Sequence, residues 1–269
     1  MDWGDRLNMF PNHRLWAGCL IALSLLLSSG LAHGDDALTI LTEDYPPLNY
    51  VENKELKGPS VDIVRAIQEK LGRADKIADK ISVYPWARAY RFLETRQNTA
   101  LFSTARANSR ENQFKWVGPI AEKKIGMYAK RAREIKLDAL EDTKDYLIGV
   151  QRDSVTMQYL DERGYENFDD STSAEANLKK LMGERNDLWF ASNATVAGIC
   201  ERLNVNIEEL ELVLEIENTF IYIAFNNETP DSIIAAWQNA YDGLVQEGAV
   251  MNLFRTHDLI GLYPTTFDN

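Results

Sequence analysis

The sequence predicts an α/β protein built from two lobes that are joined by two crossing strands. Short apolar runs rich in β-branched and aromatic residues alternate with patterns of helical period, which is typical of βαβ units on a parallel sheet. The alternation occurs in two series with no low-complexity linker between them. The candidates for the crossing strands are "KIGMYAK" at 124–130 and "FIYIAF" at 220–225. A cleft between two such lobes is a natural ligand site.

The first series contains three predicted strands and two predicted helices. In chain order these are the strand "ALTILT" (37–42), the helix "SVDIVRAIQEKLG" (60–72), the strand "KISVYP" (80–85), the helix "WARAYRFLE" (86–94) and the strand "TALFST" (99–104). In the first helix, Ser60 is the expected N-cap and Gly72 the expected stop.

The second series repeats the rhythm. Its elements are the strand "YLIGV" (146–150), the helices "SVTMQYLDERG" (154–164) and "TSAEANLKKLMG" (172–183), and the strands "DLWFAS" (187–192) and "LVLEI" (212–216). Thr172 and Glu175 have the spacing of a capping box. In the long helix that follows "FIYIAF", we expect Thr229 to be the cap, Pro230 the first helical residue and Gly248 the end.

The first 34 residues have the pattern of a secretory signal. Arg6 and Arg14 precede an apolar run over 15–27, and Ala32 and Gly34 are spaced like a signal-peptidase site. A single membrane anchor is the alternative, but the uninterrupted run is shorter than the ~20 residues that span a bilayer. We therefore predict that residues 1–34 are a signal peptide.

Composition narrows the class of partner. The net charge of -12 argues against binding to nucleic acid. Cys200 is the one cysteine beyond the predicted signal, so an intrachain disulfide is excluded and stability must come from packed cores. We expect the mature protein to be soluble and to act as a monomer.

Neither a metal site nor a cofactor is expected. His257 is the one histidine beyond residue 34, and Cys200 has no histidine or cysteine near it in sequence, whereas zinc prefers several nitrogen or sulfur ligands. A Ser-His-Asp enzyme would have to use His257, for which a surface or capping role is the simpler interpretation. The glycines are scattered singly and form no phosphate-binding loop.

Two arginines follow a predicted strand in "ALFSTARANSRENQFKWVGPI", 100–120. A guanidinium presents a planar fork of donors that matches a carboxylate, and it stays charged when partly dehydrated. Ser103 and Thr104 at the strand end add hydroxyl groups beside Arg106 and Arg110. The simpler alternatives are a solvated surface charge for Arg106 and, for Arg110, an ion pair with Glu111 or another acid.

Other segments supply further candidates. In "YPWARAY", Trp86 offers a flat apolar face and Arg88 lies two residues on. Tyr45 stands before two prolines in a stiff loop, although such a loop is often plain turn packing. Ser154 begins a predicted helix, whose first N–H groups attract anions, but most serines at that position are only caps.

Seven stretches, taken in order, resemble the family 3 bacterial extracellular solute-binding proteins. They are "LTEDYPPLNY", "LKGPSVDIVRAIQEKLG", "FSTARANSREN", "FKWVGPI", "IGVQRDS", "RNDLWFAS" and "IAFNNETPDSIIAAWQNAYDGLVQEG". The resemblance implies a two-lobed periplasmic binding protein fold of type II, in which the lobes close on a small ligand. It implies lobe 1 from 35–126 and 221–269, lobe 2 from 127–220, and a location in the periplasm.

The resemblance also implies roles for individual residues. Arg110 corresponds to the arginine that grips the ligand's carboxylate, assisted by Ser103, while Tyr45 and Trp86 correspond to the aromatic residues that cover the ligand. The complete expected ligand-binding set is Tyr45, Trp86, Arg88, Ser103, Thr104, Arg106, Arg110, Ser154 and Ser192.

One departure from the family pattern bears on the ligand. Amino acid binders of the family usually carry an aspartate, which pairs with the α-ammonium, where this chain has Ser192. A hydroxyl cannot neutralise a buried ammonium, so a standard α-amino acid is in doubt. The pocket then suits an anionic or zwitterionic carboxylate that is bound without an aspartate at this position, or one whose ammonium is met by another acid such as Glu43.

The resemblance implies capture of a small polar carboxylate-bearing ligand for a membrane ABC permease or sensor. Two alternatives stay open. Some secreted dehydratases resemble the family, and an enzyme would need a general acid or base, for which Glu43 and Asp44 are the nearest candidates. An interaction module that has lost its ligand is the third possibility.

Overall fold

The computed structural model describes residues 38–73 and 80–267, and the predicted signal peptide lies outside these ranges. The strands are β1 (Thr39–Thr42), β2 (Tyr50–Glu52), β3 (Glu55–Lys57), β4 (Ile81–Val83), β5 (Thr99–Ala105), β6 (Phe114–Lys130), β7 (Ile148–Gln151), β8 (Phe168–Ser171), β9 (Leu188–Ser192) and β10 (Leu210–Asn226). The helices are α1 (Pro59–Lys70), α2 (Trp86–Thr95), α3 (Val155–Asp161), α4 (Ala174–Met182), α5 (Asn193–Leu203), α6 (Asp231–Gln246) and α7 (Ala249–Thr256).

One mixed sheet of eight strands runs through the described chain in the order β4-β1-β5-β10-β6-β9-β7-β8. At one end β1 pairs in parallel with β4 and β5, and at the other β7 pairs in parallel with β8 and β9. Between these two parallel groups, β6 and β10 are antiparallel to each other and to their outer neighbours. The α/β class with two crossing strands is therefore confirmed, with a mixed sheet in place of a purely parallel one.

The two crossing strands are longer than the sequence patterns predict. β6 and β10 each contain 17 residues, a length of about 55 Å at ~3.3 Å per residue. Their pairing runs from Leu210 opposite Lys130 to Asn226 opposite Phe114, with three register shifts on the way. The segments "LVLEI" and "FIYIAF", expected to be separate strands, are parts of the single strand β10.

The buried apolar side chains form separate clusters on the two sides of this strand pair. One cluster joins both ends of the described chain, from Leu38 and Ile40 in the β1 region to Phe254 and Tyr263 after the long helix. A second cluster is built around β7, β9 and the distal half of β6, with Ile148 and Phe190 at its centre. The two parallel groups of strands are thus stabilised by different cores.

Several predicted helix ends are wrong by one or two positions. Gly58 is the N-cap of α1, so Ser60 lies inside the helix, and Ser173, not Thr172, caps α4 by accepting a hydrogen bond from the Ala176 amide. Pro230 is the N-cap of α6, one residue after the expected Thr229. Adjacent residues in these segments are similarly suited by type to cap a helix, so the sequence does not show which one does. The backbone conformation of the folded chain decides it.

Gly248 ends the long helix as expected, and the same residue begins α7 in a left-handed conformation with φ of 70°. The left-handed backbone conformation has little energetic cost at this position because glycine has no Cβ. Within 38–73 and 80–267, no helix has the length and apolar character needed to cross a membrane.

Candidate functional site

A cavity lies where the two parallel groups of strands face each other across β6 and β10. Its lining combines the loop after β1, the start of α2 and the end of β5 with residues of β7, β9 and the first turns of α3 and α5. Its volume of about 60 Å³ is room for about four to six water molecules, at roughly 10–15 Å³ each. Six of the nine predicted site residues line it: Tyr45, Trp86, Ser103, Arg110, Ser154 and Ser192.

Arg110 is the buried cation of this cavity. Only 1% of the residue is exposed, and it follows β5 in a short 3₁₀ turn, Asn108–Arg110. Its Nε donates to Gln158 Oε1 at 2.9 Å and its Nη2 to the Asp153 carbonyl at 3.0 Å. Among the described residues, its buried Nη1 has no hydrogen-bond partner. A charged donor is therefore available at the cavity wall, because an arginine stays protonated even though burial lowers the pKa of Arg110.

Aromatic rings form the wall around this guanidinium. The Arg110 Cζ lies 5.5 Å from the ring centroid of Trp86 and 4.7 Å from that of Tyr90. Trp86 and Tyr90 are stacked on α2, with centroids 5.5 Å apart. The Trp86 indole donates to the Asp153 carbonyl at 2.8 Å, so this wall is also tied to the opposite side of the cleft.

Ser103 enters the cavity through a local distortion of β5. Its φ is 61°, an uncommon left-handed conformation for a serine. The pairing of β5 with β10 is interrupted at the same level, between Tyr222 and Ala224. The Ser103 hydroxyl donates to Asn49 Oδ1, and the Asn49 amide donates to Thr42 Oγ1 and to the Glu43 carbonyl, each at 2.8 Å. Buried Asn49 thereby holds the loop after β1 against β5.

Tyr45 and Ser192 meet on the other side of the cavity. The Tyr45 hydroxyl lies 3.1 Å from Ser192 Oγ and 3.2 Å from Thr195 Oγ1. Lys123 of β6 donates to the same Tyr45 hydroxyl at 2.9 Å. Ser192 is also the N-cap of α5 and accepts from the Thr195 amide at 3.1 Å. As far as the described residues go, this arrangement forms a continuous polar network that contains one cation and no carboxylate.

Glu43 is the one acid among the residues that line the cavity. Its Oε2 accepts a hydrogen bond from the Gln151 side chain at 2.8 Å. Burial raises the pKa of Glu43 to about 7, although the Gln151 hydrogen bond and the charge of Lys123 oppose the change. The carboxyl group therefore exchanges its proton near neutral pH.

Arg106 lies outside the cavity. The exposed guanidinium makes two hydrogen bonds to Glu111, from Nε at 2.7 Å and from Nη2 at 2.5 Å. Its Cζ lies over Tyr222 and Trp116, 5.1 and 5.7 Å from the ring centroids. The ion pair with Glu111 that the sequence offered as an alternative for Arg110 is thus made by Arg106.

Arg88 and Thr104 also lie outside the cavity. Arg88 is exposed on α2, with its guanidinium 4.7 Å from the Tyr84 ring centroid. Thr104 is buried, but its hydroxyl donates to the Leu101 carbonyl at 2.9 Å. Adjacent strand residues point to opposite faces, so Ser103 and Thr104 cannot both face the cavity.

Ser154 lines the cavity as the N-cap of α3. Its hydroxyl accepts from the Met157 amide at 3.2 Å and lies 2.8 Å from Thr156 Oγ1. The position is therefore a cap whose hydroxyl also borders the cavity.

His257 and Asp44 are placed away from the inner cavity. His257 lies 2.8 Å from Asp62 near the end of α7. Asp44 forms two hydrogen bonds with Arg202, at 2.6 and 2.9 Å, beside a wider outer chamber of about 420 Å³ that also borders on Glu43. In the described part of the chain, no group of three or more histidine, cysteine or acidic residues could hold a metal ion.

Sequence reasoning missed Lys123, Gln151 and Asn49. Lys123 lies in a run of two lysines within a strand, a pattern that usually marks a solvated edge. Gln151 directly follows "YLIGV", and Asn49 closes the loop of "EDYPPLNY". The ends of strands were the available signal, because polar side chains there tend to border a cleft.

Comparison with solved structures shows the same fold. A histidine kinase sensor domain with similarity to periplasmic binding proteins has a TM-score of 0.74, 18% identity, and coverage of 84% of this chain and 98% of that chain. A mutant of ArgBP from T. maritima has a TM-score of 0.71 and 15% identity, and the match covers 82% of this chain and 94% of that chain. The arginine-, lysine-, histidine-binding protein ArtJ from Geobacillus stearothermophilus has a TM-score of 0.70 and 13% identity, with 86% and 100% covered.

Sequence comparison places the chain in a family. No match was found among curated proteins. The model of one protein family, however, matches residues 38–257, which is most of the chain. The crossing strands, the cavity between the two groups of parallel strands and this match agree, and the chain belongs to the bacterial extracellular solute-binding proteins, family 3.

Proposed function

We propose that the protein is a periplasmic solute-binding protein that captures a small polar ligand bearing a carboxylate. The observation that carries the proposal is Arg110, a buried guanidinium at the cavity wall whose Nη1 has no hydrogen-bond partner among the described residues. A buried charged donor without a partner is costly, and a ligand carboxylate would supply the missing acceptor. Ser103 and the Trp86 ring lie at the same cavity and complete a site of this kind.

The proposal includes closure of two lobes. Lobe 1 comprises 35–126 and 221–269, and lobe 2 comprises 127–220, with the crossing strands β6 and β10 between them. Two apolar clusters that lie mostly in different lobes support this division, with Ala194 of the proposed lobe 2 packing in the first cluster. Among the described residues, six hydrogen bonds cross between the proposed lobes at the cavity: Trp86 to Asp153, Arg110 to Asp153, Arg110 to Gln158, Gln151 to Glu43, Thr195 to Tyr45, and the one between Tyr45 and Ser192. A ligand held by such groups is enclosed when the lobes meet.

The partner is a membrane protein, either an ABC permease or a sensor. Both roles occur among the similar structures, which include a sensor domain of a histidine kinase and the substrate-binding protein of an amino acid ABC transporter. The N-terminal pattern of a signal peptide supports delivery to the periplasm.

Replacing Arg110 tests the proposal. A thermal-shift screen with small carboxylic acids and amino acids finds a stabilising compound, and calorimetry then measures its affinity. Arg110→Ala should weaken binding by about 10- to 150-fold, because charge-assisted hydrogen bonds contribute about 1.5–3 kcal/mol. Arg88→Ala is the matched control and should change the affinity less than twofold, because Arg88 lies outside the cavity. Equal affinity of folded Arg110→Ala and wild type would refute the proposal.

An enzyme on the same scaffold is the second candidate function. Glu43 borders the cavity, and burial raises the pKa of Glu43 to about 7, which suits a general acid or base at neutral pH. Incubating the stabilising compound with the protein and recording NMR spectra separates the candidates. A binding protein returns the compound unchanged, whereas an enzyme accumulates product and Glu43→Gln stops it.

A further inference from the structure

Two cations border the cavity at separate walls. Arg110 contacts Trp86 and Tyr90 and donates to Gln158 and Asp153, while Lys123 donates to the hydroxyl of Tyr45. The two sets of partners have no residue in common. A ligand that fills the cavity therefore meets both a guanidinium and an ammonium.

Among the described residues, neither cation forms a close ion pair, but acids act on them from farther away: Glu94 and Asp153 on Arg110, and Glu43 on Lys123. Within the described ranges, no carboxylate oxygen lies within 4.0 Å of the charged nitrogens of Arg110 or Lys123, and Glu43 is the one acid among the lining residues. The Glu43 carboxyl accepts its hydrogen bond from Gln151 instead. Among the residues that line the cavity, the two cations Arg110 and Lys123 thus outnumber the single acid, Glu43.

The polar network around Ser192 has no place for a second ammonium. Ser192 Oγ, Thr195 Oγ1 and the Lys123 ammonium all converge on the Tyr45 hydroxyl, within 3.2 Å of it. A ligand ammonium at this point would meet the Lys123 charge, and the hydroxyl groups of Tyr45, Ser192 and Thr195 carry no negative charge to offset it. A carboxylate there would instead accept hydrogen bonds from Lys123 and from hydroxyl groups.

We propose that the ligand is a small dicarboxylate without an amino group, with one carboxylate at Arg110 and the other at Lys123. The inference rests on the proposed function, and it makes Lys123 the residue that selects a second anion over an ammonium. The small volume of the cavity, about 60 Å³, favours a short chain over a long one. Charge selection follows from the rule that a site rejects a group it would leave unpaired.

Matched pairs of compounds test this selection. Malonate, succinate and glutarate are compared by calorimetry with β-alanine and 4-aminobutyrate, which replace one carboxylate of succinate and glutarate by an ammonium, and with glutamate. We expect succinate or glutarate to bind at least tenfold more tightly than its amino counterpart, and the added ammonium of glutamate to lower the affinity relative to glutarate.

Two neighbouring lysines provide the variants. Lys123→Met should weaken dicarboxylate binding at least tenfold and reduce the preference for the dicarboxylate over its amino counterpart. Lys123→Arg keeps the positive charge and should retain most of both the affinity and the preference. Lys124→Met is the control, because Lys124 is exposed and pairs with Glu215 at 3.5 Å. Its affinity should stay within twofold of wild type. Thermal unfolding midpoints check that each variant is folded.

The outcomes separate the inference from the function on which it rests. If an amino acid binds more tightly than the matching dicarboxylate and Arg110→Ala weakens that binding at least tenfold, the inference is wrong and the proposed function stands. Unchanged dicarboxylate affinity in folded Lys123→Met also overturns the inference. If no acid of either class binds, both the inference and the proposed function fall.

Discussion

At the scale of single residues, Glu43 connects the cavity to pH. Burial raises the pKa of Glu43 to about 7, from the value of 4.5 that is usual for a glutamate in an unfolded chain. Ionisation of this carboxyl is therefore less favourable in the folded protein than in the unfolded one. Its contribution to the free energy of unfolding is highest below pH 4.5 and falls as the pH rises to about 7.

Glu43→Gln removes this titration while retaining a side chain of similar size. The wild-type protein should therefore lose stability relative to Glu43→Gln as the pH rises. The difference between their free energies of unfolding should fall by up to about 3 kcal/mol between pH 4.5 and pH 7.5, because each unit of pKa difference corresponds to ~1.4 kcal/mol. Urea denaturation of both proteins across this range measures the difference. A difference that does not vary with pH would mean that Glu43 is hydrated in the folded protein.

At the scale of elements, the pairing of β6 with β10 depends on a close approach at Gly126. A Cβ at this position would lie 2.4 Å from Leu212 Cδ1 and 2.5 Å from the Leu214 carbonyl oxygen. The Leu212 side chain can move, but the carbonyl belongs to the paired strand. The two long strands are therefore held close to each other by the absence of a side chain.

Gly126→Ala should lower the free energy of unfolding by about 1–2 kcal/mol, because overpacking against backbone forces the strands apart. Gly261→Ala is the control: no atom lies within 4 Å of its added Cβ, and a change of at most ~0.5 kcal/mol is expected. Urea midpoints measure both. Equal midpoints for the two variants would show that β10 shifts without cost.

At the scale of the whole molecule, closure of the proposed lobes brings α5 against the loop after β1. The Cβ of an alanine at position 198 would lie 2.6 Å from the carbonyl carbon and oxygen of Pro46. Gly198 belongs to the proposed lobe 2 and Pro46 to the proposed lobe 1. A single methyl group at this contact should hold the two lobes apart.

We expect ligand to reduce the radius of gyration of the wild-type protein, measured by small-angle scattering, and to leave that of Gly198→Ala unchanged. The ligand affinity of Gly198→Ala should fall about tenfold or more, since closure is coupled to binding. Gly243→Ala on α6 is the control, because its added Cβ meets the Lys70 side chain at 3.5 Å or beyond. A wild-type radius that is the same with and without saturating ligand would refute closure.

The sequence by itself determined the fold class and most of the elements. Short apolar runs rich in β-branched and aromatic residues marked β1, β5, β7 and β9, and a helical period marked α1, α2 and the long helix α6. These signals are local, so they can be interpreted without knowing the neighbours of a residue. The short strand β8 and the hairpin of β2 and β3 carry weak local signals and were missed.

Only the tertiary structure decided which polar residues face the cavity. Arg106 and Arg110 follow the same strand, and Lys123 and Lys124 are adjacent in another, yet one member of each pair borders the cavity and the other pairs with an acid outside it. A period of two shows that neighbours point to opposite faces, but the strands and helices that pack on each face determine which one is buried. The cavity joins residues as far apart in sequence as Tyr45 and Ser192, and contacts over such distances form only when the chain folds.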